Sequence, residues 1–325
     1  MGAILASWLN YSRMFIKLIK DIFFFLKALI RFIFGMPKIE EKWIFPISMT
    51  TPEQTKENIV PKIIWMYWDG NKGNALVDLC ISNTKTVCND FDVRVLNNQA
   101  VSAYIELPVF NEELPIAVKA DYIRLALLKK YGGIWMDASI FLTENLNWVL
   151  EKISNNSTFV FYSDHCTTDY TNPIVENWFI ATTKDNEFIN DWFAEFQKCI
   201  FDSNPTQYYK NYAQDRDVIQ NIPNTDYLMC YIAAAIIRKR KNYNVVTLNS
   251  GSQGHYYNYA LYSNGFFIAL KLLLANKKYI YNPRLIKFTN ETREFANKFI
   301  ENRFFRDKSI LGSSIKSRNE ISLGG

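Results

Sequence analysis

The chain has 325 residues, 49% of them hydrophobic, and a formal net charge of +5. That is enough apolar material for one sizeable core, a domain of roughly 200 to 250 residues with appendages. Arg13, Lys17, Lys20, Lys27 and Arg31 against Asp21 put +4 of the charge within residues 1–37. The remainder is nearly neutral and lacks the basic stripe of a nucleic-acid surface.

Residues 8–34, WLNYSRMFIKLIKDIFFFLKALIRFIF, set those cations at spacings near multiples of 3.5, with Phe, Leu and Ile on the other sides. This predicts a basic amphipathic helix over residues 1–37. A spanning helix needs about 20 mostly apolar residues, and here charges interrupt every few positions. The pattern therefore predicts a helix lying in the membrane interface, its cations against anionic headgroups at about 1 kcal/mol each. A signal anchor and a helix packed on the domain are the alternatives. Localisation is expected to be peripheral, on the cytoplasmic face of the cell membrane. Residues 38–60, with Pro46, Pro52 and mixed polar residues, read as a linker lying along the domain.

Lys62 to Tyr67, β-branched and aromatic after Pro61, predicts a first strand that ends in a loop from Asp69 to Gly73. Ala75 to Val87 predicts a helix and Phe91 to Leu96 a second strand, the βαβ beginning of a Rossmann-like half. The loop has neither G-x-G-x-x-G nor Walker spacing, so it is not the Gly-rich phosphate loop of dinucleotide or P-loop proteins.

The stretch from Lys119 to Leu142, KADYIRLALLKKYGGIWMDASIFL, organises the chain. Ile116, Ala120, Ile123 and Leu127 predict one buried helix face after Pro115. Asp121 and Arg124, three apart, project together, able to hold one ligand or each other. Gly132 and Gly133 end the helix. Ile134 to Met136 predicts a buried strand with Asp137 at its carboxyl end. A buried ionised group costs several kcal/mol unless paired or metal-bound, so Asp137 is expected to face a site, a turn cap being the alternative. In open α/β sheets ligands lie beyond those carboxyl ends.

Thr158 to Ser163 predicts a strand paired near that of Asp137, with Asp164 and His165 near the site mouth, and Glu187 to Ile200 an amphipathic helix. A further helix begins at Asp226 and Tyr227 and runs in apolar residues to Ile237. Asn290 to Phe305 predicts a short helix, and a polar Ser- and Gly-rich tail from Ser309 predicts disorder. Cys80, Cys88, Cys166, Cys199 and Cys230 form no C-x-x-C pair and are odd in number, which favours free thiols in a reducing compartment. The triplets at Asn155, Asn156 and Asn290 are expected by chance in so Asn-rich a chain.

DYIRLALLKKYGGIWMDAS resembles the central motif of glycosyltransferases with a DXD sugar-binding region, most closely their capsular polysaccharide synthesis branch, related to glucosylating toxins and mannosyltransferases. PKIIWMYWDG at 61–70 is similar to that family's opening strand, NWFIATTKDNEFINDWFAEF at 177–196 to its middle segment, and TDYLMCYI at 225–232 to a later helix. The resemblance implies an α/β fold of the GT-A type over residues 61–290, a Rossmann-like nucleotide-sugar-binding domain, with residues 291–325 as a C-terminal helix and tail. It also implies a nucleotide-sugar donor and a divalent metal, Mn2+ or Mg2+, bridging the diphosphate.

On that resemblance Asp137 binds the metal, directly or through water, with Ser139 where the family's second aspartate usually stands. Asp121 holds sugar hydroxyls and Arg124 phosphate or sugar oxygen; an intrahelical ion pair is their other reading. Trp65 is the candidate platform for the base, a core tryptophan being the alternative and Trp68 a weaker candidate. Asn177 and Trp178 line the sugar pocket, or Trp178 packs in the core. His255 supplies a second metal ligand or is a surface histidine, and Lys287 reaches the diphosphate or is solvated.

The implied activity is a retaining, metal-dependent hexosyl transfer, from a UDP-sugar by preference, to a lipid-linked or growing polysaccharide in capsule or surface-glycan synthesis. A front-side mechanism asks less of the protein than double displacement, for which no nucleophilic carboxylate stands out. The rival reading is a catalytically inactive scaffold of a membrane polysaccharide assembly, and Ser139 is the feature in its favour.

Overall fold

Two runs of short strands, rich in β-branched and aromatic residues, meet in a mixed seven-stranded sheet. The computed structural model describes residues 2–46, 59–70, 73–112, 114–153 and 157–323; Asn155 and Asn156 lie outside them. In chain order the elements begin with α1 (Gly2–Phe34), β1 (Trp43–Ile44), β2 (Ile63–Tyr67), α2 (Ala75–Val87), β3 (Asp92–Leu96) and α3 (Asn98–Val101). The centre is α4 (Ile116–Tyr131), β4 (Gly133–Met136), β5 (Ile140–Leu142), α5 (Asn147–Leu150), β6 (Thr158–Tyr162), β7 (Val175–Thr182) and α6 (Glu187–Ile200). There follow α7 (Arg216–Ile219), α8 (Met229–Arg240), β8 (Val245–Asn249), α9 (Tyr256–Ala260), α10 (Gly265–Leu274), β9 (Leu285–Lys287), α11 (Asn290–Glu301) and α12 (Ile310–Leu323).

The sheet order is β1-β8-β6-β7-β4-β2-β3. Strand β2 runs parallel to both β3 and β4, so the chain leaves it toward one side and returns on the other. That is a topological switch point, where the crossovers diverge and open a crevice at the carboxyl ends of the strands. Those ends are Tyr67 of β2 and Met136 of β4, and Asp137 follows directly. The α/β class and the βαβ start expected from the sequence are both present.

The hinge between α4 and β4 depends on glycine. Gly132 has φ +66°, and a Cβ there would lie 2.5 Å from the Lys184 backbone nitrogen and 2.9 Å from the Thr183 carbonyl carbon. The close approach lets β4 pair with β7 from its first residue, Gly133 opposite Thr182.

Several expectations are corrected. The strand at Thr158 lies near that of Asp137 as expected, but the strand between them, β7, antiparallel to both, is in the segment read only as pocket lining. Ile116 is 71% exposed, while Val118, Ile123, Leu125, Leu127 and Leu128 are buried, so α4 is covered on more than one face over its later turns. The stretch read as a linker contributes β1, which pairs antiparallel with β8. The tail read as disordered forms α12, whose Ile310 and Leu311 are buried in the same cluster as Leu76 and Leu79 of α2. The apolar run at Ile310 was too short to stand out among the serines. All five cysteines are free and buried.

Helix α1 forms as expected. Its side chains from Met14 to Leu26 are exposed, while Ala28 is fully buried and Arg31 Nη1 donates to the Tyr259 and Ala260 carbonyls. Phe25 and Phe32 pack on Phe267 of α10. Its last turns are thus part of the folded body. Among the described residues no helix is long and apolar enough to cross a membrane.

Gly132→Ala is expected to destabilise the fold by about 3 kcal/mol, from positive-φ strain and backbone overlap together. A urea midpoint that falls with an unchanged slope measures it.

Candidate active site

A cavity of about 650 Å³ opens at the switch point. It gathers Asp121, Arg124, Asp137, Ser139, Asn177, Trp178, His255 and Lys287, which are residues from five regions of the sequence. A smaller hollow of about 350 Å³, between Leu274 and Lys308, shares no residue with it and holds none that the sequence singled out.

The floor of the cavity is a line of alternating charges. Asp121 and Arg124 share the inner side of α4, one turn apart, and Arg124 Nη1 donates to Asp121 Oδ1 at 2.5 Å. Arg124 Nη2 donates to Asp137 Oδ1 at 3.0 Å, and the guanidinium lies 4.9 Å over the Trp135 ring, whose Nε1 donates to the same oxygen at 3.1 Å. Lys287 Nζ donates to the other oxygen, Asp137 Oδ2, at 2.5 Å and to Ser139 Oγ at 3.3 Å. The side chains are between 5% and 24% exposed, too little for water to screen them. Asp121 and Arg124 are therefore an intrahelical pair and also line the cavity, so the two readings left open by the sequence coexist.

Lys287 reaches Asp137 because β5 and β9 form a two-stranded antiparallel ladder with Ile140 opposite Lys287. The Phe288 amide donates to the Ser139 carbonyl at 3.0 Å and the Lys287 amide to the Gly254 carbonyl at 2.8 Å. With its side chain 14% exposed, this is no solvated lysine.

The electrostatics follow from burial and this pairing. Burial pushes the Asp121 carboxyl up to about 6, against the lowering by Arg124. For Asp137 burial pushes upward too, but Lys287 and Arg124 outweigh it and hold the carboxylate below its ordinary range. His255 is pushed down to about 3, first by burial and then by Lys287, so its imidazole is neutral.

Trp65 is not in the cavity. It is fully buried, packs on Tyr104 and Tyr131, and donates from Nε1 to the Gly132 carbonyl at 3.0 Å. On β2 alternate residues face opposite sides of the sheet, which turns Trp65 toward the α4 side. Trp68, just past the strand end, lines the cavity instead. Its indole lies so close over Gly70 that a Cβ there would come within 2.6 Å of Nε1.

Trp178 combines its two readings: it is 3% exposed and stacks on Phe161 at 4.6 Å, and it also lines the cavity. His255 is no surface histidine, its side chain being 17% exposed. Its Nδ1 lies 2.9 Å from Asn258 Nδ2, and its Nε2 lies 3.7 Å from Glu176 Oε2.

The fit to a divalent cation is poor. Asp137 is the only carboxylate at the expected position, and both its oxygens accept from cationic groups. Ser139 Oγ donates to the Phe288 carbonyl at 3.4 Å and accepts from Lys287. His255 turns its Nε2 toward Glu176 Oε2, 3.7 Å away, and its Nδ1 toward Asn258. Among the described residues no three His, Cys, Asp or Glu side chains come together as a metal site.

Arg293, Tyr227 and Tyr231 also line the cavity, and the sequence reading missed them. Arg293 lies one turn into α11, its guanidinium 5.2 Å over the Trp68 ring and bonded to Asn290 at 3.0 Å. The short spacing from Lys287 through the Thr289 cap was the signal available.

Residues 35–295 match the model of the capsular polysaccharide synthesis protein family, and the chain belongs to that family. None of the curated proteins matches its sequence. Among solved structures it is similar to the PaToxG glycosyltransferase, at 16% identity over 56% of this chain and 77% of that one, with a TM-score of 0.33. It is similar to the glycosyltransferase GlyE of Streptococcus pneumoniae TIGR4, at 11% identity over 80% of this chain and 64% of that one, with a TM-score of 0.40. The galactosyltransferase LgtC, in complex with donor and acceptor sugar analogues, shares 10% identity over 77% of this chain and 95% of that one, with a TM-score of 0.36. At those scores the likenesses carry no inference about donor or acceptor.

Glu176, behind Trp178 and hydrogen-bonded to its Nε1, is pushed by burial from 4.5 up to about 7. The folded protein then holds a proton that the unfolded chain releases, so this contribution to stability is complete below about pH 4 and is lost as pH rises toward 7. Each tenfold of proton affinity is worth about 1.4 kcal/mol. Glu176→Gln, which keeps an acceptor for Trp178, is expected to flatten the fall in stability between pH 5 and 8 by up to about 3 kcal/mol, measured by urea denaturation at each pH.

Proposed function

We propose that the protein is a glycosyltransferase of capsule synthesis that takes a sugar from a nucleotide-sugar donor, a UDP-sugar by preference, to a lipid-linked or growing polysaccharide. The observation that carries this reading is the cavity at the switch point, with acidic groups for sugar hydroxyls and cations for a diphosphate on one floor. Trp68 with Arg293 offers a flat surface for a base at the carboxyl end of β2. Asp121 and Asn177 face the sugar, and Arg124, Lys287 and Arg293 face the phosphates.

As the bond from C1 to the diphosphate oxygen breaks, its electron pair leaves with the phosphate and the sugar becomes oxocarbenium-like. Side-chain cations held in place before the reaction stabilise that developing charge without reorganisation. Retention is expected by front-side attack: the acceptor hydroxyl oxygen bonds C1 on the face the diphosphate leaves, and its proton passes to the leaving phosphate oxygen. Asp121 and Asp137 are both engaged by Arg124, which disfavours either as a covalent nucleophile. The Mn2+ or Mg2+ expected with the donor is not needed for this account of the leaving group.

The purified full chain is expected to release nucleotide from one member of a nucleotide-sugar panel, and Asp137→Ala to lower the rate by about 100-fold or more. If no donor is hydrolysed and calorimetry detects no nucleotide binding, the inactive-scaffold reading takes over.

The N-terminal helix supports peripheral attachment to a membrane, here read as its cytoplasmic face. Lys17 and Lys20 stand exposed beside exposed Phe15, Ile16, Leu18 and Ile19, apolar and cationic surface together. The full chain is expected to sediment with anionic vesicles, and Lys17→Glu with Lys20→Glu to shift it to the supernatant. Equal sedimentation of both proteins would sink the attachment.

A further inference from the structure

We propose that Lys287 occupies the place of the divalent cation, so that the donor diphosphate is bound and released by fixed side-chain cations without a metal. The inference rests on the nucleotide-sugar reading and deepens it. A bridging metal would sit between the side chains of Asp137 and Ser139 and face the diphosphate. The Lys287 ammonium already stands there, 2.5 Å from Asp137 Oδ2 and 3.3 Å from Ser139 Oγ.

Three features show that this is a built position. The β5–β9 ladder sets Lys287 directly opposite Ile140, next to Ser139, so its reach to Asp137 is fixed by backbone pairing. The amides of Lys287 and Phe288 are both held, by the Gly254 and Ser139 carbonyls. The remaining Asp137 oxygen is occupied by Arg124 and Trp135, which leaves neither oxygen of Asp137 unpartnered for an ion.

An ammonium has three donors, and Asp137 and Ser139 take two. The third is left for a phosphate oxygen. Arg293, on the first turns of α11 and lining the same cavity, adds a planar donor set suited to a second phosphate oxygen. Lys287 and Arg293 together bring the two positive charges a divalent ion would supply.

The test is calorimetric titration of the purified full chain with UDP, ADP, GDP and TDP, each in EDTA, in Mg2+ and in Mn2+. One diphosphate is expected to bind in EDTA with an affinity within about twofold of that in either metal. Lys287→Met is expected to lose at least tenfold in EDTA and to regain part of the loss in Mn2+, because Asp137 is then free to ligate. Binding that strengthens tenfold or more when metal is added to the unaltered chain overturns the inference and leaves the donor reading standing. No binding in any condition removes the donor reading and the inference with it. The comparison of EDTA with metal needs no variant, so it decides even if Lys287→Met fails to fold.

Discussion

A line of four charges, Asp121, Arg124, Asp137 and Lys287, is the constraint to which the rest of the molecule is fitted. Each member is less than a quarter exposed. Any one of them left alone would cost several kcal/mol, since desolvation is not returned unless an opposite charge is in contact. Arg124 answers two carboxylates and Asp137 answers two cations, so the members stand or fall together. Removing Asp137 leaves Lys287 without a counter-charge and Arg124 with Asp121 alone.

Holding that line asks much of the backbone. Arg124 comes from α4, Asp137 from the end of β4 and Lys287 from β9, 150 residues further on. The turn at Gly132 brings the helix against its strand, and β7 pairs along β4 so that the Asp137 amide is held by the Trp178 carbonyl at 3.0 Å. The small β5–β9 ladder then closes the site from the other side. Without that ladder the lysine would sit on a surface loop with its own rotamer entropy opposing the contact.

Local pattern carried much of this in the sequence. The strands of the first half, the long α4, the glycine hinge and the strand-end carboxylate were readable from periodicity, turn chemistry and the cost of burying Asp137. Trp65 was misplaced because period-two alternation says that Trp65 and Trp68 face opposite sides, not which side carries the site. Strand β7 was missed because all eight of its residues are buried, polar Glu176 and Asn177 among them, so its sequence shows no alternation of apolar and polar positions to read. The contact between Lys287 and Asp137 spans half the chain and depends on a three-residue strand pairing, below what any local window holds. Arg293 was missed because its one signal, the short spacing from Lys287 through the Thr289 cap, tells only once Lys287 is known to stand at the cavity.

Ser139 takes on a different meaning once the lysine is in place. With serine there, two carboxylates face two cations and the line is neutral before Arg293 is counted. A second carboxylate at 139 would leave the line with an excess negative charge, attractive to a divalent ion and repulsive to a diphosphate that arrives without one. Serine also gives the ammonium an acceptor while handing its own proton to the Phe288 carbonyl, so it satisfies Lys287 without competing for a metal. The residue that first suggests a lost site is thus the electrostatic counterpart of Lys287. A floor neutral in charge, with one ammonium donor left over and one further arginine beside it, would suit a leaving group whose negative charge grows as it departs.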